Sequence, residues 1–66
     1  MVSYNPLFKT LESKGISLYK MSKDLGLSTR TRSKFGKNEN VSLDTLESIC
    51  LYLDVPIEDV VEIVRK

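Results

Sequence analysis

Residues 17–35, SLYKMSKDLGLSTRTRSKF, constrain the fold of this chain more than any other stretch, because they encode two short helices held at a fixed bend. Ser17 is a good N-cap, and Leu18, Met21 and Leu25 recur at three- and four-residue spacing on one helical face. Ser22 puts a small side chain where a second helix can approach. Gly26 then ends the first helix, because the residue just past the last periodic apolar position often needs a positive φ that glycine adopts at little steric cost. Leu27 covers the bend and Ser28 offers the next N-cap hydroxyl. The segment that follows, residues 29–36, is polar and basic with Phe35 as its one large apolar residue. A helix so poor in core residues needs a reason to exist other than packing.

The flanking segments look arranged to support that pair. Val2 and Tyr4 fall on one side of residues 1–4 if these are extended, so the segment either pairs as an edge strand or covers the core. Asn5-Pro6 reads as a helix start with Asn5 as cap and Pro6 at the first helical position. Leu7, Phe8 and Leu11 then make the apolar stripe of a helix over about residues 6–14, ended by Gly15. After the pair comes a polar loop, residues 37–41. Ser42 caps the next helix, with Asp44 in its first turn where the helix dipole favours a carboxylate. Leu43, Leu46, Ile49, Cys50 and Leu53 form the longest clean stripe of the chain and are expected to floor the core. Asp54-Val55-Pro56 breaks this helix, and Ile57, Val60, Val61 and Val64 predict a fifth. Glu58 and Asp59 near its start and Arg65 and Lys66 at its end follow the charge order of a helix dipole. A strand competes over residues 60–64, where four of five residues are β-branched, but the i, i+3, i+4, i+7 spacing favours a helix.

Sixty-six residues make one domain with a small core, and 41% hydrophobic with 29% charged residues is ordinary for a soluble globular chain. With no apolar run of about 18 residues and no signal peptide, a cytoplasmic protein that neither spans nor anchors to a membrane is expected. Cys50 stands alone in an apolar run, so it reads as a small core residue rather than a nucleophile, and no internal disulfide can form. Without histidine the usual zinc-ligand sets are missing, and no cofactor, metal or catalytic residue is expected.

The net charge of +1 conceals a segregation of sign. Residues 20–37 carry Lys20, Lys23, Arg30, Arg32, Lys34 and Lys37 against Asp24 alone, a block of +5, whereas residues 38–64 carry seven acids and no base. The remaining residues sum to +3. The positive block coincides with the two-helix stretch, where attraction to phosphate would be useful.

Ser17 opening the first helix, small Ser22, Leu25, Gly26 and Leu27 around the turn, Ser28 capping the second helix and Phe35 closing it resemble the helix-turn-helix of the Cro and repressor-like (XRE-like) family. The following GKNENVSLDTLESICLYLDV is similar to a small subgroup in which a short polar loop leads into a Leu/Ile/Cys helix, and the resemblance runs over about residues 7–64. It implies an all-α, five-helix, lambda-repressor-like domain spanning residues 1–66, with the helix-turn-helix at about 17–36. One residue departs from the pattern: the position of Arg32 is usually Ile or Val, packed beneath the second helix. A buried unpaired guanidinium is strongly disfavoured. Either its alkyl stem lies along the core edge with the head in water, or the helix is rotated so that Thr31 packs with Phe35.

The resemblance further implies sequence-specific binding of double-stranded DNA, as a repressor of phage or bacterial type, with the second helix in the major groove. Base-facing positions at the start of that helix and one turn on are Thr29, Arg30, Ser33 and Lys34. Arg30 is the strongest of these, since a guanidinium can bond guanine O6 and N7 together. Backbone contacts are expected from the N–H groups near Ser17 and Leu18 on one side, and from Lys37, Asn38 and Asn40 on the other. Because one reading helix sees few base pairs, a homodimer on two half-sites is expected, joined through whichever of Val60, Val61 and Val64 the core leaves exposed. The rival from another class is a protein-interaction module, antirepressor- or antitoxin-like, that keeps the fold and grips a protein partner through its acidic C-terminal half.

Overall fold

A computed structural model describes residues 1–65. Its elements are β1 (Val2–Ser3), α1 (Asn5–Lys14), α2 (Leu18–Leu25), α3 (Thr29–Lys37), α4 (Leu43–Leu53), a 3₁₀ turn (Ile57–Asp59) and β2 (Glu62–Ile63). The strands pair antiparallel, Val2 opposite Ile63 and Ser3 opposite Glu62.

One device starts three of the helices. Ser17, Ser28 and Ser42 each sit in extended backbone, and each hydroxyl accepts the backbone N–H three residues on, at 3.0 to 3.1 Å. Each thereby satisfies one of the N–H groups that a helix start leaves without an internal partner. The helices end in left-handed residues: Gly26 at φ 70 closes α2, while Asn38 at φ 54 and Asp54 at φ 57 close α3 and α4. Asn and Asp tolerate that region better than other residues with a Cβ, which lets the chain turn without glycine there.

The first helix begins differently from the expectation. Asn5 is its first residue and caps nothing; Tyr4 precedes the helix without a side-chain cap bond, and the Asn5 N–H instead meets Ser3 Oγ at 3.3 Å. Pro6 is consequently the second helical residue. Leu7 and Leu11, one turn apart, are buried, whereas Phe8, rotated about 100° from Leu7, is 38% exposed.

The predicted all-α, five-helix architecture is corrected at the C-terminal end: four helices and a two-stranded sheet are present among the described residues. Pro56 is extended, a single 3₁₀ turn follows, and Val60 leaves the helical region at φ −120 and ψ −43 with its side chain fully buried. The β-branched run beyond it then extends and finds partners at the start of the chain, where Val64 N–H donates to Met1 O at 2.8 Å. Strand preference plus a distant partner outweighs a four-point helical spacing that a short segment matches easily. The charge order assigned to a fifth helix therefore has no helix to act on, and Lys66, part of that assignment, lies outside the described residues.

The core gathers Leu7 and Leu11 from α1, Met21 from α2, Phe35 from α3, Leu46, Ile49 and Leu53 from α4, together with Tyr4 and Val60. Leu43, expected in the α4 stripe, is its first residue and is 75% exposed. Tyr4 meets Phe35 edge to face, ring centroids 5.0 Å apart at 76°. This contact anchors the underside of α3, so that a helix with one fully buried residue is fixed to the body of the molecule.

Candidate nucleic-acid interface

The α2–α3 pair owes its bend to Gly26, and Leu27 N–H closes the turn onto Ser22 O at 2.8 Å. Small Ser22 is buried where α2 meets its neighbours, as its size suggested. With Phe35 turned inward, helical periodicity places Thr29, Arg30, Ser33, Lys34 and Lys37 within an arc of about 140° on the opposite side of α3. Thr29, Arg30, Ser33 and Lys37 are exposed and Lys34 is half-buried. The four residues expected to read bases thus share one face. Ser33 spends its hydroxyl proton on Arg30 O at 2.9 Å, leaving the oxygen to act as an acceptor toward solvent.

Of the residues expected at phosphates, Ser17 uses its hydroxyl as the α2 cap, accepting from Lys20 N–H, so what remains there is backbone: the early N–H groups of α2 at Leu18 and Tyr19. Lys37 and Asn40 are exposed beside the end of α3. Asn38 is only partly available. Its Oδ1 accepts the Tyr4 N–H at 3.1 Å, which leaves the amide NH₂ as its outward group.

The electrostatics of the face are uneven. The only ion pair among the described residues joins Lys20 Nζ to Asp24 Oδ2 at 3.3 Å, so Arg30, Arg32, Lys34 and Lys37 have no carboxylate partner there. Asp24, the lone acid of the basic block, also accepts the Tyr52 hydroxyl. That bond first, and Lys20 next, hold its carboxyl below the usual carboxylate range. The same bond pushes the Tyr52 phenol up.

Arg32 is half-buried, and its Cζ lies 5.3 Å from the centroid of the Tyr19 ring, itself 62% exposed. Of the two arrangements open to this residue, the stem along the core edge matches its position, with the addition that the head rests on an aromatic face. Thr31 is half-buried too, but its Oγ1 is engaged by the Ser28 hydroxyl at 3.1 Å. Sequence reasoning did not connect Arg32 with Tyr19. The signal available was an arginine in an apolar slot and an exposed tyrosine one helix earlier.

The family model for the Cro/C1-type HTH DNA-binding domain matches residues 7–66. The chain belongs to that family. Among solved structures, the crystal structure of the transcriptional regulator VanUg is similar to it at 40% identity and a TM-score of 0.95, covering 98% of this chain and 87% of that one. No curated protein matches the chain. Both α2 and α3, joined at the Gly26 turn, fall within the matched residues. None of the described helices is long and apolar enough to cross a membrane.

Proposed function

We propose that this protein is a transcriptional repressor that binds double-stranded DNA sequence-specifically by placing α3 in the major groove. The observation that carries the reading is the outer face of α3, where Arg30, Lys34 and Lys37 stand together without a carboxylate partner among the described residues, on a helix anchored by Phe35. Membership in a family of DNA-binding domains and similarity to a transcriptional regulator support it. Thr29, Arg30, Ser33 and Lys34 read bases, and the N–H groups near Ser17 and Leu18, with Lys37, Asn38 and Asn40, hold the backbone on either side. Selection of bound sites from a random duplex pool tests this reading. It is expected to return a defined site whose affinity falls steeply with salt, and recovery of unrelated sequences bound without salt dependence would refute it.

A homodimer on two half-sites completes the proposal. Val60 is fully buried and cannot serve as a contact, so the role passes to the open groove of about 450 Å³ lined by Val2, Val41, Leu43, Leu46, Val61 and Ile63. Leu43 and Ile63 each expose three-quarters of their surface there, an unusual amount for a short helix start and a short strand. Palindromic selected sites and sedimentation of two copies per operator are the expected results, and one copy on a non-palindromic site would remove the dimer. The same groove sustains the rival reading, in which a protein partner sits on the acidic half: Glu58 lines it. A salt-dependent shift of duplex DNA by the protein alone separates the two.

A further inference from the structure

We propose that Arg32 and Tyr19 form a clamp for a backbone phosphate of the bound duplex, a contact particular to a chain that carries arginine in this slot. The inference rests on the reading of the α2–α3 pair as a DNA-binding face.

On α3, at about 100° per residue, Arg32 lies some 60° from Thr29 on the side away from Lys34, at the edge of the reading face nearest α2. Tyr19 is the second residue of α2, and its exposed ring receives the guanidinium at 5.3 Å. The ring contact leaves the guanidinium's N–H donors without a hydrogen-bond partner among the described residues. No carboxylate of the described residues pairs with it.

A methyl-bearing side chain would fill this half-buried flank without any polar head to accommodate. The arginine therefore brings to the surface a fixed charge that packing does not require, and Tyr19 fixes where the charge stands. With a recognition helix in the groove, the helix before it crosses the sugar-phosphate backbone. The anion nearest the first turn of α2 is then a phosphate rather than a base edge. Holding the long side chain on the ring before binding lowers the ordering cost that a free arginine would meet on the DNA.

The test is fluorescence anisotropy of the selected duplex and a scrambled duplex across a salt series, with Arg32→Met, Arg32→Lys and Tyr19→Leu, each checked by thermal unfolding. Arg32→Met is expected to weaken both duplexes alike and to flatten the slope of log affinity against log salt by about 0.9, the signature of one lost phosphate contact. Arg32→Lys and Tyr19→Leu keep the charge, so the slope is expected to hold while affinity falls roughly two- to fivefold with loss of the arginine–ring contact. Unchanged affinity and slope in Arg32→Met would reduce Arg32 to a packing residue and overturn the clamp. Altered preference at one base position would make it a reader and overturn it equally. Should the wild-type protein show no salt-dependent binding to either duplex, the DNA reading itself fails, an outcome distinct from both.

Discussion

The Tyr52 hydroxyl donates to Asp24 Oδ2 at 2.5 Å, tying the last turn of α4 to the end of α2. Lys20 holds the same oxygen from within α2. One acid in a cationic stretch thus has an internal use: it bonds α2 to the floor helix.

Removing the tie should show in the titration of Asp24. Its carboxyl is depressed on folding, by the Tyr52 bond before any other cause. It therefore adds stability above the unfolded value of about 3.9, a contribution that fades as the pH falls through the lower folded value. The Tyr52 phenol is raised, so its share persists below the ordinary tyrosine value and is lost only as the pH climbs through the raised one. In Tyr52→Phe, a carboxyl-carbon NMR titration is expected to find the Asp24 midpoint shifted upward, with acid unfolding starting at a higher pH. An unmoved midpoint would mean that the two groups do not meet in solution.

Ser22 offers a gain of stability. It is buried, and its Oγ has no hydrogen-bond partner among the described residues. Replacing it with alanine removes a desolvated hydroxyl and improves helix propensity while keeping a small side chain at this buried position. Ser22→Ala is expected to stabilise the protein by about 1 kcal/mol in urea unfolding. A loss of similar size would show that the hydroxyl is satisfied in solution.

The parts of this fold that were legible in the sequence are those fixed by short-range chemistry. Ser17, Ser28 and Ser42 announce helix starts because the capping bond spans three residues, and Gly15 and Gly26 announce ends because few other residues take a positive φ. For Tyr4 the sequence left open an edge strand or a cover for the core, and its full burial was not legible, because it goes with bonds to Asn38 and Glu39, 34 and 35 positions on. Nor was β2, whose pairing residues sit at the opposite end of the chain. In the candidate site, the outward face of α3 follows from periodicity once Phe35 is taken as its inward residue. What periodicity could not reveal was that Asn38 turns its carbonyl to Tyr4, or that Arg32 lies on Tyr19.

Two substitutions on α3 should separate reading from holding. Arg30→Ala is expected to relax preference at one base position, costing about 1–3 kcal/mol on the selected site and less on scrambled DNA. Lys37→Ala, at the end of the helix, is expected to weaken every duplex alike and to flatten the salt slope by about 0.9. Competition binding against single-base variants of the selected site distinguishes them. If Lys37→Ala altered base preference while Arg30→Ala left it intact, the direction of α3 in the groove would be the reverse of that proposed.

Tyr4 links the core to the loop after α3, and its hydroxyl tests whether that loop touches DNA. The phenol donates to Glu39 O at 2.6 Å, while the Tyr4 N–H holds Asn38 Oδ1, so one residue fixes two successive positions between Lys37 and Asn40. Burial pushes the Tyr4 phenol up, which keeps its proton in place at any pH where the protein would be assayed. Tyr4→Phe preserves the ring against Phe35 and removes the hydroxyl with its bond to Glu39 O and its contact with the Val41 backbone, so a loss of about 0.5–1.5 kcal/mol in stability is expected. No charge is removed, so the salt slope should stay as it is. Affinity should nonetheless fall for all duplexes alike, because residues that hold phosphates would first have to be ordered. A Tyr4→Phe protein that is less stable yet binds DNA with undiminished affinity would place the 38–41 loop clear of the backbone and leave Lys37 as the contact on that side.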